Sequence, residues 1–407
     1  MIRTLRRIIP KSIINTCWHL PCAVLAAVWF RFPARRLTCV AVAGTKGKTT
    51  TTVLTARMLA AAGHRTACVS TAVVCFGDRE EMNTEKMTTP SAWWIQRFLR
   101  RAVAAGCTHA VLEVSSHALL QYRTFGIPFS VAVLTNLAPD HLEYHRDARE
   151  YQETHRLLCT SSLRALVLNG DDPDLQSFAC AGIATRTFSA HGALADRIRA
   201  LPPALPGEFN VMNALAAATA ADALGIPWDV IVRALTDRTP VPGRLERIEA
   251  GQDFTVIVDY AHSPESLERV LGIVGGLTPR ASRLAPPRTI AVFGACGERD
   301  PKKRPIMGAM LDRYADVVIV TNDDPYGEDP EQIAQGLRAG IRNKRVGETL
   351  FQILDRRTAI AKAIALAQPG DLVLILGKGA EQWQVFRDKR IPWDDRTVAR
   401  ELLSKRT

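Results

Sequence analysis

From Leu37 onward, short apolar runs alternate with longer stretches whose apolar residues recur at helical spacing. Leu37–Ala43 (LTCVAVA) is one such run, and a glycine turn separates it from a helical stretch reaching about Ala62. Comparable runs lie at His109–Glu113, Val131–Leu134 and Ala165–Asn169. Runs this short, rich in β-branched residues and bounded by turn signals, read as strands buried on both faces. Strands alternating with helices predict a mostly parallel sheet with helices on both sides. Thr239–Arg244 (TPVPGR) interrupts the rhythm, because proline continues neither a helix nor a central strand, and it reads as an interdomain hinge. The rhythm restarts with Val256–Asp259, Ile290–Gly294, Val317–Thr321 and Leu372–Leu376. Two α/β domains are therefore expected, residues 37–240 and 241–407, without internal repeats or low-complexity segments.

Residues 1–36 follow neither pattern. An uncharged run, Ser12–Phe30, lies between basic flanks and contains Asn15, Thr16, His19 and Pro21, poor choices for a bilayer centre. The charged start and the AVLAAVWF stretch are signal-like, but no small-x-small cleavage site precedes Leu37. Three readings stand: a pair of short helices packed on the main body, an interfacial membrane helix anchored by Trp18, Trp29 and Phe30, or a spanning helix.

Composition narrows the class. With 407 residues, 47% hydrophobic and 23% charged, the chain has the usage of a globular protein of two or three domains. Disordered, collagen-like and polytopic membrane chains are excluded. The 52 Lys and Arg against 41 Asp and Glu leave a net charge of +11. Seven of those cations, and no acid, fall within residues 1–36, so the rest of the chain carries only +4. A nucleic-acid-binding surface is not needed to explain the charge. Nine scattered cysteines without a C-x-x-C pair argue against a zinc ribbon or a dense disulfide framework and suit a reducing cytosol.

Candidate chemistry gathers at strand ends. Gly44-Thr45-Lys46-Gly47-Lys48-Thr49-Thr50 stands between the first strand and the first helix. Backbone N–H groups at a glycine-rich helix start cradle phosphate oxygens, Lys48 can reach the β/γ-phosphates and the Thr49 hydroxyl can hold Mg²⁺. The longer Walker spacing needs glycine at position 42, which is Val42, so the match is the shorter G-T-x-G-K-T form. A glycine turn alone could be purely structural; Lys and Thr after a strand favour phosphate binding. The predicted fold is thus a central P-loop-type, mostly parallel-sheet ATPase domain followed by a Rossmann-like α/β domain. Glu113 ends the strand before Val114-Ser115-Ser116-His117, facing the crevice where such sheets bind ligands. Asp140 and His141 lie just past a third strand end. Glu113 alone reads equally as a cap and His141 alone as a structural hydrogen-bonder; several candidates after several strands favour a site.

Here the sequence resembles the ATP-dependent Mur ligase family, most closely its MurE type. GTKGKTT, LEVSSHALLQYR, TNLAPDHLEYH, GEFNVMNALAA, PGRLE, VDYAHSPESL, FGACGERDPKKRPIMG, TNDDPYGEDP and GKGAEQ occur in the family's order from residue 37 to about 400. The resemblance implies an ATP-dependent amide ligase that adds a free amino acid to a muramyl-peptide nucleotide in peptidoglycan precursor synthesis. ATP phosphorylates the peptide carboxylate and the incoming amine attacks the acyl phosphate, with Mg²⁺ and lysine stabilising the charge. It implies that Gly44, Thr45, Lys46, Gly47, Lys48, Thr49 and Thr50 bind ATP and that Thr49, Glu113 and His141 hold metal. Asn210 and Asn213 would approach the adenine, and Arg244 and Asp259 the phosphate and ribose, with closure about the hinge completing the site. Thr88, Thr89, Ser115, Gln121 and Arg123 match positions that hold the muramyl peptide. Arg299, Asp324, Tyr326, Gly377 and Glu381 match positions around the incoming amino acid. A cytoplasmic enzyme is implied, with peripheral membrane contact through residues 1–36 open, a monomer favoured and no nucleic-acid partner.

Three departures qualify the resemblance. The family's N-terminal domain, which grips the UDP end, is reduced to residues 1–36, so a lipid-linked or shortened acceptor stays open. His155 stands where the family carries a carbamylated lysine; it is read either as a ligand of a second Mg²⁺ or its water, or as a bystander. The diaminopimelate-type D-N-P-R motif reads Asp323-Asp324-Pro325-Tyr326, which removes a bidentate arginine. Asp324 and Glu328 add negative charge, and L-lysine is the first choice of amino acid. Alternatives are a folylpolyglutamate-synthetase-like or lipid-linked-acceptor ligase of the same superfamily, or a non-catalytic nucleotide-binding module at the membrane. A lipid II amidation subunit would carry a four-cysteine zinc site, which the cysteine spacing excludes.

Overall fold

The computed structural model describes residues 10–138, 144–178, 181–201, 207–237, 239–277 and 287–406. The chain divides into two compact units, Met1–Thr239 and Pro240–Thr407.

The first unit is built on one sheet. Its strands are β1 (Thr38–Ala43), β2 (Thr66–Val69), β3 (Val73–Phe76), β4 (Arg79–Met82), β5 (His109–Glu113), β6 (Phe129–Leu134), β7 (Ala165–Asn169) and β8 (Ala184–Phe188). The spatial order is β4-β3-β2-β5-β1-β6-β7-β8. All pairs from β2 to β8 run parallel; β3 and β4 add an antiparallel hairpin at one edge. Central β1 is buried from Cys39 through Ala43, as a strand covered on both faces must be. One layer rests on the helix Lys48–Ala61, against which Glu208–Ala223 packs. Small buried side chains at Ala214, Ala217, Ala218 and Ala221 let these two helices approach closely. The opposite layer holds Ala92–Ala104, whose Ile95, Phe98, Leu99 and Ala102 enter the core.

The N-terminal segment forms one continuous helix, Lys11–Trp29, not the expected pair. Pro21 has no N–H to donate, and the chain passes it by widening into a π-helical stretch at Asn15–His19.

The second unit has strands β9 (Glu246–Ile248), β10 (Thr255–Asp259), β11 (Thr289–Phe293), β12 (Val317–Val320), β13 (Leu350–Gln352) and β14 (Leu372–Leu376), in the order β13-β12-β11-β14-β10-β9. Only β9 is antiparallel. A separate hairpin pairs β15 (Trp383–Val385) with β16 (Arg390–Pro392). Arg356 and Asp395, both wholly buried, form a two-bond ion pair at 2.8 and 2.7 Å. The same guanidinium donates to the carbonyls of Leu376 and Asn322, at 2.9 and 3.2 Å, and so ties the segments after β14 and β12 together. Among the described residues seven cysteines are free thiols, and Cys159 is disulfide-bonded, a bond that the scattered spacing did not foretell.

Candidate active site

In the first unit the site lies at the C-terminal ends of β1, β5 and β6, where a doubly wound sheet leaves a crevice. β1 ends at Ala43, and the glycine loop leads into Lys48–Ala61. Gly44 has φ +123°, and a Cβ there would sit 2.4 Å from Thr135 Oγ1 and 2.8 Å from the Asn136 carbonyl. Gly47 has φ +85°, and a Cβ would meet Asn213 Oδ1 at 2.2 Å. Both positions therefore require glycine, through backbone conformation and through space. Asn136 clamps the backbone of Lys46: its Oδ1 accepts from Lys46 N at 3.0 Å and its Nδ2 donates to Lys46 O at 2.8 Å. Thr135 Oγ1 adds a bond to Lys46 O at 2.7 Å. Thr45 Oγ1 is held at 2.9 Å by both Tyr151 Oη and the Ala138 carbonyl. The loop is thus braced by side chains from three other segments. Lys48 Nζ lies across its mouth, 2.8 Å from the carbonyls of Gly44 and Thr45.

Thr49 and Glu113 meet as expected. Thr49 Oγ1 donates to Glu113 Oε1 and Oε2, at 3.0 and 3.1 Å. Glu113 is almost fully buried and also accepts from Thr71, from N at 2.6 Å and Oγ1 at 3.1 Å. Thr71 belongs to no motif and escaped the sequence reading. His141 and Asp140 lie outside the described residues.

Thr88, Thr89, Ser115, Gln121 and Arg123 form one bonded cluster beside Glu113. Thr71 Oγ1 and Thr88 Oγ1 lie 3.2 Å apart, and Thr89 Oγ1 donates to the Glu113 carbonyl at 2.9 Å. Ser115 N donates to Thr89 Oγ1 at 2.9 Å, while the Ser115 side chain caps the next helix. Arg123 donates to the Thr89 carbonyl and, at 3.0 and 2.6 Å, to Gln121 Oε1. Gln121 Nε2 reaches Tyr144 Oη at 3.1 Å.

His155 is wholly buried at the end of the helix Ala148–His155, its ring 4.9 Å from that of Tyr151. Its Nε2 has no hydrogen-bond partner among the described residues. Burial pushes its pKa down to about 4, and Lys48 and His145 add to the fall while the Tyr151 carbonyl opposes it. The reading of His155 as a surface residue is therefore corrected: it is buried, within reach of the Lys48 charge. Asn210 and Asn213 are buried against that loop, with Asn213 Nδ2 bonded to Asn210 Oδ1 at 3.2 Å. Asn213 directly braces Gly47.

The second unit gathers its own charged cluster. Lys378 is wholly buried, with Nζ at 3.1 Å from Asp323 Oδ1, 3.0 Å from Asp324 Oδ1 and 2.8 Å from Glu381 Oε2. Burial opposes the ammonium, but the carboxylates of Asp323, Glu381 and Asp324 outweigh it and hold the pKa well above the usual lysine range. Asp324 Oδ1 also accepts from Val385 N at 2.8 Å. A Cβ on Gly377 (φ +109°) would lie 2.9 Å from Asp323 Oδ2. Glu328 pairs with Arg304 at 2.6 Å. Arg304 thus offsets the charge of Glu328, while Asp323, Asp324 and Glu381 share the single ammonium of Lys378 and keep a negative balance. Tyr326 sits at φ +51°. Burial, then the charge of Asp324, raises its phenol pKa, and exposed Arg299 acts in the opposite sense. Asp259 accepts from Leu245 N at 2.7 Å and from Ala261 N at 2.8 Å, one bond on each oxygen. Burial raises its pKa against the pull of Arg244, which lies over the Tyr260 ring at 4.5 Å.

The chain is similar to known proteins over most of its length. Residues 42–221 match the Mur ligase middle domain, and residues 243–379 the Mur ligase glutamate ligase domain. A UDP-N-acetylmuramyl-tripeptide synthetase of Roseiflexus sp. (strain RS-1) is 39% identical, with 94% of this chain and 82% of the relative aligned. A UDP-N-acetylmuramoyl-L-alanyl-D-glutamate--2,6-diaminopimelate ligase of Thermosynechococcus vestitus is 40% identical over 95% of this chain and 80% of its own. A solved structure of a ligase of that same name superposes with TM-score 0.60 at 31% identity, covering 91% and 79% of the two chains. A Mycobacterium tuberculosis folylpolyglutamate synthase shares the fold, at TM-score 0.68 and 18% identity over 87% of this chain and 91% of that one.

Proposed function

The chain belongs to the Mur ligase family and is an ATP-dependent acid–amino-acid ligase of the MurE type; we propose that its two units divide the work between nucleotide and amino acid. The observation that carries this division is the Thr49–Glu113 pair beneath a glycine loop that admits no side chain. ATP supplies the phosphoryl group that turns the peptide carboxylate into an acyl donor. The chain's part is to fix the phosphates on the loop amides from Gly44 to Thr50 and to set the Lys48 ammonium against their charge. Thr49 and Glu113 offer hard oxygen donors within 3.1 Å of each other, which suits Mg²⁺. His141 is proposed as a further ligand, and the buried His155 as the neutral group that borders this charge. Asn210 and Asn213 keep the loop in shape toward the nucleotide, and Arg244 and Asp259 are proposed as further nucleotide-binding residues.

Thr88, Thr89, Ser115, Gln121 and Arg123 are proposed to hold the muramyl peptide, with Arg123 as the cation for its carboxylates. Asp324, Tyr326, Gly377, Glu381 and Arg299 are proposed to hold the amino acid, and Lys378 keeps the three acids in register. The domain boundaries follow as 37–240 and 241–407, preceded by 1–36. A cytoplasmic setting suits an enzyme that consumes ATP. Phosphate release from ATP should require both UDP-MurNAc-dipeptide and an amino acid. Release driven instead by a folate or a lipid-linked acceptor, with none from the UDP-linked peptide, would overturn the acceptor assignment.

A further inference from the structure

The helix Lys11–Trp29 is two-faced. Ala23, Ala26 and Ala27 are wholly buried where it packs on the helix Ala92–Ala104. The other face leaves Ile13, Trp18, Leu25, Val28 and Trp29 half or more exposed, Trp29 at 72%. Trp93 extends this surface onto the second helix: its ring lies 6.0 Å from Trp29 and 5.3 Å from Phe30. Arg97 and Arg100 share the outer stripe of that helix with Trp93, at i+4 and i+7, and both are exposed. Arg31, Arg35 and Arg36 are exposed just beyond Trp29. No acid precedes Asp78, and none lies between Glu85 and Glu113. The patch is therefore rich in tryptophan, flanked by arginine and built from acid-free segments.

We propose that this face docks in the plane of an anionic phospholipid bilayer, an inference independent of the reaction assigned above. Tryptophan favours the headgroup boundary, where its ring is buried and its N–H stays wet. Arginines beside it add attraction to anionic lipid. A second copy of the chain would bring the same arginines against each other, which disfavours a symmetric dimer through this face. Spanning is disfavoured because it would strip the alanine face from its packing and draw the buried Asn15 into hydrocarbon.

The test is co-sedimentation of the full chain with vesicles of phosphatidylglycerol and phosphatidylcholine, against phosphatidylcholine alone. Binding should need the anionic lipid, shift tryptophan emission to the blue and weaken as salt is raised. Arg97→Gln and Arg100→Gln should each weaken binding about fivefold. Trp29→Ser with Trp93→Ser should abolish it while melting temperature and ATP turnover stay unchanged. Absence of binding to anionic vesicles, or binding indifferent to these substitutions, overturns the proposal. So does retention that only detergent reverses, which marks a spanning helix. A dimer that the tryptophan variant dissociates, without vesicle binding, assigns the face to a second copy instead.

Discussion

His155 Nδ1 lies 2.9 Å from the carbonyl oxygen of Tyr151. A carbonyl only accepts, so in the neutral ring Nδ1 carries the proton and Nε2 presents a lone pair in a buried site. The cost of charging this ring sets a pH dependence. The folded pKa is about 4, against the ordinary 6.5, so on acidification the unfolded chain takes the proton first. Stability from this group is present above about pH 6.5 and is lost as pH falls toward about 4, by at most about 3 kcal/mol. His155→Asn should flatten the slope of urea stability across that window relative to wild type. The comparison between the two chains matters because His109, also held near pKa 4 by burial and then by His64, titrates in the same window. Equal slopes would show that His155 is not held neutral by its surroundings.

Gly47→Ala should fail twice over. The φ of +85° disfavours an L side chain, and the new methyl meets Asn213 Oδ1 at 2.2 Å. A loss of about 1–3 kcal/mol is expected, with nucleotide affinity falling alongside it. Adding Asn213→Ala should recover only the steric part. Full recovery in the double variant would mean that the φ carries no cost.

Lys48→Ala should lower ATP turnover about a hundredfold or more, because its charge serves the transferring phosphate. Its melting temperature should stay near wild type, since the ammonium bonds carbonyls of its own loop, which water can serve in its place. Turnover close to normal would remove the phosphate role assigned to Lys48.

Glu113→Gln should raise the magnesium concentration needed for half-maximal activity. The amide keeps an acceptor for Thr49 and Thr71 but loses the charge that draws a divalent cation. Titration of Mg²⁺ at saturating ATP checks this, and a curve superposed on wild type would exclude Glu113 as a ligand.

The parts of this fold legible in the sequence are those where burial or backbone geometry leaves little choice. β1, β5, β7 and β14 are covered on both faces and so read as apolar runs. Gly44 and Gly47 read as a phosphate loop because few other sequences make that turn. The hairpin of β3 and β4 was illegible: edge strand Arg79–Met82 (REEM) is half solvated and carries charges. The buried cation of the second unit was illegible for another reason. Lys378 meets Asp324 across 54 residues of chain, and local pattern carries no trace of that pairing. Arg356, which ties together the ends of β12 and β14, is hidden in the same way.

Those hidden pairings bear on the expected amino acid. Arg304 offsets Glu328, while Asp323, Asp324 and Glu381 share the one ammonium of Lys378. Arg299 is one cation whose charge acts on the Tyr326 phenol, and Lys302 is exposed nearby in sequence. A side chain bearing a carboxylate would meet a cation at Arg299, and 2,6-diaminopimelate has such a side chain. Competition between meso-diaminopimelate and L-lysine at equal concentration should therefore favour diaminopimelate. Since exposed ion pairs contribute only about 0–1 kcal/mol, the ratio from Arg299 alone should be within about fivefold. Arg299→Gln should narrow that ratio with little change in the use of lysine. A clear preference for lysine in the unaltered enzyme would show that Glu381, partly exposed beside Lys378, still governs the distal end of the substrate.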